Sequence, residues 1–348
     1  MNLTTHKNTK KTPALFAAVL SGAVLLGTTL FTGCQDPIFY EIRQEVKLEK
    51  ATIHGDIYSI VRFGDDLYIA NGNIYSKNKN GVEHGQWTKR SAPAGHILSL
   101  AADDTYIYAL ATTSKKNDNN GEMQLDSRKL YCSTDGTTWT QCNFSMDTTK
   151  DRVVILMCTN SVDPTHRKAF LNYGGTGEIL AGTTVSDHSE ANNAYSCASL
   201  NGTPVFFYGS AHRAACSDAT ESAIYYSDNT RLMKKTSISG TDTQITSGLR
   251  STIYGIAVMS DSVLTTTNSG SALVDINNGT EIAYSNLSST LSTLYECYAC
   301  LAVNPNLSHT GTAVYAGLSV KGTGSNSALF THEGLWAYYP ARGKWNIE

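Results

Sequence analysis

A compact apolar segment with a small residue at its third position recurs six times along the chain, and this recurrence restricts the folds open to it. The copies are Ile57-Tyr-Ser-Ile-Val61, Ile97-Leu-Ser-Leu-Ala101, Val154-Ile-Leu-Met-Cys158, Ala194-Tyr-Ser-Cys-Ala198, Ile253-Tyr-Gly-Ile-Ala257 and Cys297-Tyr-Ala-Cys-Leu301. Their starts lie 40, 57, 40, 59 and 44 residues apart. A period of about 40–50 residues built on short aromatic-rich strands is that of a β-propeller blade with loop insertions. The third residues are Ser59, Ser99, Leu156, Ser196, Gly255 and Ala299, small in five of six. Innermost strands converge on the propeller axis, so a side chain aimed at crowded neighbours must be small.

The remaining strands of each unit follow from alternation of apolar and polar residues. Second strands are expected at Asp66–Ala70, Tyr106–Leu110, Ala169–Tyr173, Val205–Tyr208, Ala313–Gly317 and, more weakly, Ser262–Thr266. Third strands carry the pairs Ile74-Tyr75, Leu130-Tyr131, Ile179-Leu180, Ile224-Tyr225, Leu273-Val274 and Leu329-Phe330. Fourth strands are clearest around Trp87, Trp139 and Trp345. Composition agrees: only 16% of residues are charged, against 41% aliphatic, aromatic or Cys, and helices favour more Glu, Lys, Ala and Leu. The expected fold is an all-β, six-bladed propeller of four-stranded antiparallel blades over residues 53–348. A seventh blade is open if Phe39–Val46 and an insertion form another unit. That segment could instead close the ring as an added strand.

The first 33 residues read as a targeting segment. Lys7, Lys10 and Lys11 precede an uncharged run from Ala14 to Phe31, which ends in Leu30-Phe31-Thr32-Gly33-Cys34. This resembles a bacterial lipoprotein signal, although Phe31 stands three residues before the Cys where Leu is preferred. The resemblance implies that Cys34 becomes the first mature residue and carries the lipid, with residues 34–52 as a tether. Two or three acyl chains would anchor the protein stably, at about 0.8 kcal/mol per buried CH₂. Gln35 rather than Asp after the Cys favours the outer membrane. An uncleaved membrane-spanning anchor is the competing reading of a run this long.

Ser133-Thr134-Asp135-Gly136-Thr137-Thr138-Trp139 is similar to the Asp-box of sialidase-type repeat propellers, one residue shorter than the usual form. Degenerate relatives stand at Tyr75-Ser76 with Trp87, and at Tyr226–Asn229. In such families the box is a structural turn between outer strands. Ser133 and Asp135 tie the turn, Gly136 supplies positive φ and Trp139 packs into the sheet. A sialidase would also need an arginine cluster in an Arg-Ile-Pro setting, which this chain lacks. Cys132 and Cys142 flank the turn symmetrically about Thr137, suggesting a cross-strand disulfide. Cys297 and Cys300 fill slots held elsewhere by Ile or Leu, so they read as core rather than as half a zinc site. No metal or other cofactor is expected: the histidines form no ligand spacing, and Gly174-Gly175-Thr176-Gly177 lacks the Lys and helix of a phosphate loop.

A net charge of −3 without a basic run argues against nucleic acid as partner. Strand two-to-three connections and blade-to-blade connections share one rim of a propeller, and the long polar inserts Thr112–Ser127, Gly209–Ser222 and Lys234–Arg250 fall there. Long loops on a rigid scaffold are the usual binding elements. The candidate rim residues are Lys115, Lys116, Asp118, His212 and Arg213. The expected function is a lipid-anchored, non-enzymatic binding or assembly module of the bacterial envelope, with the membrane and a protein or glycan as partners. A propeller enzyme acting on glycans or lactones is the alternative, for which Asp56 and Glu296 are the acidic residues beside inner-strand starts.

Overall fold

The computed structural model describes residues 53–80, 85–116, 123–144, 153–246, 248–249, 251–287, 295–320 and 333–348, without the side chains of 115, 116, 123, 124 and 320. The targeting segment, Cys34, the tether with Phe39–Val46, Asp118 and Leu329-Phe330 lie outside them. Among the described residues no helix is long and apolar enough to cross a membrane.

The described chain forms antiparallel sheets in sequence order. Sheet one holds β1 (Ser59–Phe63), β2 (Asp66–Ala70), β3 (Ile74–Asn78) and β4 (Thr88–Arg90). Sheet two holds β5 (His96–Ala102), β6 (Ile107–Lys116), β7 (Met123–Ser133) and β8 (Thr140–Gln141). Sheet three holds β9 (Val154–Cys158), β10 (Ala169–Tyr173), β11 (Thr176–Ala181) and β12 (Thr184–Asp187). Sheet four has two strands, β13 (Ala194–Leu200) and β14 (Thr203–Tyr208). Sheet five follows with β15 (Ala215–Ser217), β16 (Ile224–Asp228), β17 (Arg231–Lys235) and β18 (Thr243–Gln244). Sheet six comprises β19 (Ile253–Val258), β20 (Ser262–Thr267), β21 (Gly270–Asp275) and β22 (Glu281–Ile282). Sheet seven comprises β23 (Tyr295–Ala302), β24 (Val314–Val320), β25 (Gly334–Tyr339) and β26 (Lys344–Ile347).

Seven sheets therefore stand where six repeats are expected, and the difference has one origin. The fourth repeat is divided. After β14 the chain returns through Ser210–Ala214 into a new first strand, and Ile224-Tyr225 pairs with that strand rather than with β14. The segment Gly209–Ser222 is thus only partly loop. Ala215-Cys216-Ser217 is too short and too weakly apolar to stand out as a strand in the sequence. In sheet seven the third strand is Gly334–Tyr339, which pairs with both β24 and β26.

First strands pack on one another in cyclic order: β1 on β5, β5 on β9, β9 on β13, β13 on β15, β15 on β19, β19 on β23, and β23 on β1. The apolar core lies between sheets, not within one layer. Val61, Tyr68 and Ile74 of sheet one pack with Ile97, Leu100 and Ala109 of sheet two. Ile57 and Ile69 pack with Leu301, Tyr315 and Tyr339 of sheet seven. This sandwiching explains why both faces of the second strands are buried, as in β10 and β20.

Small third residues let first strands approach and bond. The Ser59 hydroxyl accepts from Leu100 N–H at 2.8 Å, and the Ser196 hydroxyl donates to His212 O at 2.8 Å. A Cβ at Gly255 would lie 3.2 Å from Tyr298 O and Cys300 N. Close approach of first strands is therefore joined by hydrogen bonding between neighbouring sheets.

Sheets seven and one are joined by a buried polar cluster around Glu348. Its carboxylate accepts from Tyr339 Oη at 2.8 Å, Trp87 Nε1 at 3.0 Å and Gly85 N–H at 3.1 Å, and pairs with Lys77 Nζ at 3.4 Å. Beside it, Leu335 N–H donates to Ile53 O at 3.1 Å. Gly334, at φ +130°, is required there, because a Cβ would stand 2.2 Å from the Ile53 carbonyl oxygen.

Candidate functional site

Strand direction defines two rims. First strands begin on one rim, which also carries the second-to-third-strand turns and the links between sheets. First strands end on the opposite rim, which carries the first-to-second and third-to-fourth turns.

The rim where first strands begin carries a row of tyrosines. Tyr254, Tyr298 and Tyr58 each stand one residue past a fully buried neighbour (Ile253, Cys297 and Ile57), so alternation turns them away from the core. Their rings cross three successive sheets, with Tyr254–Tyr298 and Tyr298–Tyr58 centroids each 5.1 Å apart and tilted by 54° and 43°. Tyr58 is 46% exposed. Acidic residues fix the hydroxyls: Tyr58 Oη donates to Asp56 at 2.9 Å, and Tyr298 Oη donates to Glu296. Burial, the Asp56 hydrogen bond and the nearby charges of Asp56, Glu296 and Glu333 push the Tyr58 hydroxyl up to about 12. Burial first, then Glu296, also raises Tyr298. At the other end, the Arg213 guanidinium lies 5.1 Å from the Tyr254 ring centroid.

The same rim has an open pocket of about 310 Å³ between Val153, Ile155, Asn172, Asn193 and Tyr195. Its floor is rigid. Asn172 donates to Ala194 O at 2.9 Å and accepts from Gly175 N–H at 3.1 Å.

Of the expected rim residues, His212 and Arg213 lie on the link between β14 and β15. His212 Nδ1 is 2.6 Å from Ser227 O, and its ring packs 5.7 Å from Tyr226. Arg213 Nε donates to Ser210 O at 3.0 Å. Lys115 and Lys116 end β6, a longer strand than expected, so the segment Thr112–Ser127 is largely hairpin rather than loop. They belong to sheet two, whereas His212 and Arg213 lead into sheet five. The four described residues therefore do not form one cluster, and Asp118 lies outside the described residues. The tyrosine row was missed because Tyr at the second position, present in four of six copies, fits a core aromatic equally well.

The opposite rim is occupied by internal bonding. On its axis Arg62, buried, donates to Asn160 O at 3.2 Å and to Ala302 O, while Arg167 donates to Arg62 O at 3.4 Å. Burial lowers both guanidinium groups, Arg62 to about 10. The space left there is about 10 Å³, room for little more than one water. This rim also carries the Ser133–Trp139 turn. Asp135 accepts from Thr137 and Thr138 N–H at 2.7 Å each, and these bonds hold its carboxyl well below the usual range. Ser133 Oγ accepts from Gly136 N–H at 2.9 Å, Gly136 has φ +68°, and half-buried Trp139 donates to Ser91 O at 2.9 Å.

Cys132 and Cys142 stand as buried free thiols with a side-chain hydrogen bond between them. Cys132 pairs with Thr140 across the hairpin, and Cys142 N–H donates to Leu130 O. The thiols are diagonal neighbours, two positions from facing each other, because the turn is not centred on Thr137. The other five described cysteines are also free and lie on first strands. Cys216, within the Gly209–Ser222 insert expected to be loop, is among them, in β15. Burial raises all five thiols. Among the described residues no group of His, Cys, Asp and Glu could hold a metal ion.

The model of the TP013X lipoprotein family matches residues 9–282. An uncharacterized lipoprotein of Treponema pallidum is 33% identical over 133 residues, covering 35% of each chain. A second is 36% identical over 93 residues, covering 24% of this chain and 19% of its own. The matches thus span about a third or less of these relatives. Among solved structures, an extracellular domain assigned to a hybrid two-component system of B. thetaiotaomicron aligns with TM-score 0.50 and 11% identity, over 81% of this chain and 38% of that one. That likeness concerns fold alone.

Proposed function

The chain belongs to the TP013X lipoprotein family, and from that premise we propose a lipid-anchored envelope binding module built on a closed seven-bladed propeller with a reduced fourth blade. Membership makes it a bacterial lipoprotein with a membrane-anchored place in the envelope. The anchor is Cys34, and the outer membrane is its site. The cyclic packing of first strands supports closure. The Ser133–Trp139 turn then acts as a structural Asp-box in the wall of blade two.

The observation that carries the binding reading is the Tyr254–Tyr298–Tyr58 row. One rim is filled by buried arginines and their carbonyl partners. The other presents aromatic surface held in place by carboxylates and, between sheets three and four, an open pocket. Tyrosine supplies large contact area at low conformational entropy, which suits recognition. A glycan-cleaving enzyme is less well supported, because Asp56 and Glu296 each spend an oxygen on the hydroxyl of the tyrosine two residues on.

The test is binding of the purified chain to outer-membrane fractions and to a glycan array, with wild type beside Tyr254→Ala/Tyr298→Ala. Loss of at least tenfold in affinity, about 1.4 kcal/mol, is expected with an unchanged thermal melt. Equal binding by both proteins would remove the tyrosine row from the function.

A further inference from the structure

We propose that the tyrosine row seats Lys or Arg side chains presented by an extended basic segment of a partner protein. This rests on the reading that this rim is the binding surface.

Three features of the row point to a cation. Its rings follow one another in tilted contact from sheet six through sheet seven to the start of sheet one, with Tyr58 open to solvent. A cation over a tyrosine face is attracted by the ring quadrupole within about 6 Å of the centroid. Asp56 and Glu296 lie within the row, and among the described residues neither has an ion-pair partner; each accepts from a tyrosine hydroxyl. A ligand laid on the rings therefore meets uncompensated negative charge. The third feature is intramolecular: Arg213 already stands 5.1 Å over the Tyr254 centroid, so one end of the row holds a guanidinium in the folded chain.

Other ligand chemistries fit less well. An anionic glycan would be repelled by Asp56 and Glu296. A neutral sugar could stack on a ring but would leave both charges uncompensated. A small quaternary ammonium ion prefers rings closing around it, whereas this row is open on one side. An extended peptide advances about 3.3 Å per residue, and its alternate side chains share a face. Lys or Arg at alternate positions would thus recur roughly every 7 Å, wider than the 5.1 Å between successive centroids, and their long flexible stems take up the difference.

The experiment uses the full chain and a fluorescent octalysine peptide, followed by anisotropy at low and at moderate salt. Wild type is expected to bind, with affinity falling as salt screens the charges. Asp56→Asn/Glu296→Gln keeps hydrogen-bond acceptors for both tyrosines, so its fold is preserved. It is expected to weaken binding at least tenfold and flatten the salt dependence. Tyr298→Ala should lose a similar factor, and Leu307→Ala on the opposite rim should lose none. Unchanged octalysine binding in the double carboxylate variant overturns the inference. Chitohexaose binding that Tyr298→Ala abolishes, without octalysine binding, also overturns it but leaves the binding-surface reading standing. If neither tyrosine substitution affects any ligand, the surface reading fails as well.

Discussion

Glu348→Ala is expected to destabilise the fold by about 3–5 kcal/mol, the usual cost of removing one partner from a buried ion pair. The carboxylate is fully buried, and it is the shared acceptor for groups from two sheets. Lys77, Trp87 and the Gly85 N–H belong to sheet one, and Tyr339 belongs to sheet seven. Truncation removes the carboxylate from the buried Lys77 ammonium, which keeps Tyr339 Oη at 2.6 Å and the Tyr339, Tyr315 and Trp87 rings at 4.9, 5.6 and 5.9 Å. Ring faces attract a cation but are worth about 2 kcal/mol when desolvated, too little to replace the carboxylate and three hydrogen bonds. Lys77→Met combined with Glu348→Gln should recover part of the loss, since the amide oxygen can accept from Trp87 Nε1 and Gly85 N–H while its NH2 donates to Tyr339 Oη, and no charge remains. Urea unfolding would give the comparison, read as a midpoint shift at constant slope. A loss below about 1 kcal/mol would mean that sheets seven and one are held together by packing alone.

The second large effect is expected at Glu221, in the turn between β15 and β16. Its carboxylate accepts from the Ser161 hydroxyl, from the Ser199 hydroxyl at 2.5 Å and from Gly202 N–H at 2.9 Å, and lies 3.0 Å from His166 Nδ1. Those partners belong to sheets three and four, so one side chain ties three sheets on the opposite rim. The backbone at Glu221 has φ +56°, a conformation that non-glycine residues adopt at a cost. Glu221→Ala keeps that cost and leaves buried donors without an acceptor, for an expected loss of about 3 kcal/mol. Glu221→Gly should lose less, because it relieves the backbone. Burial raises this carboxyl, but the two hydroxyls, the Gly202 N–H and His166 outweigh it and hold it below its usual 4.5. A lowered folded value gives stability that is complete above the unfolded value and is lost as pH falls through the folded one. Stability should therefore drop below about pH 4.5 in wild type, with a shallower drop in Glu221→Gln over the same window.

Where strands were long and alternating, sequence and structure agree in detail. Val154–Cys158, Ala169–Tyr173 and Asp66–Ala70 have the bounds that periodicity assigns to them. The weak segment Ser262–Thr266 is also a strand, because its threonines are buried between sheets and Thr265 and Thr267 donate to backbone carbonyls. Counting failed in the fourth repeat. A three-residue strand, Ala215–Ser217, carries no periodicity long enough to detect, yet it begins a separate sheet. The site was only partly legible for a related reason. Loop length led to His212 and Arg213, but Tyr58, Tyr254 and Tyr298 matter through their alignment across sheets, which spacing along the chain does not encode. The placement of Cys132 and Cys142 depended on hairpin register, which sets them diagonally rather than face to face, with their thiols still in contact.

The central claim is that recognition occurs on the rim where the first strands begin. Photocrosslinking on intact cells tests it most directly, with a photoreactive residue at Tyr58 in one strain and at Leu307 in another. The two positions are similarly exposed, at 46% and 43%, on opposite rims. Recognition on this rim predicts a discrete crosslinked adduct from position 58 that is absent from position 307. Adducts from position 307 alone, or the same adducts from both, would contradict it.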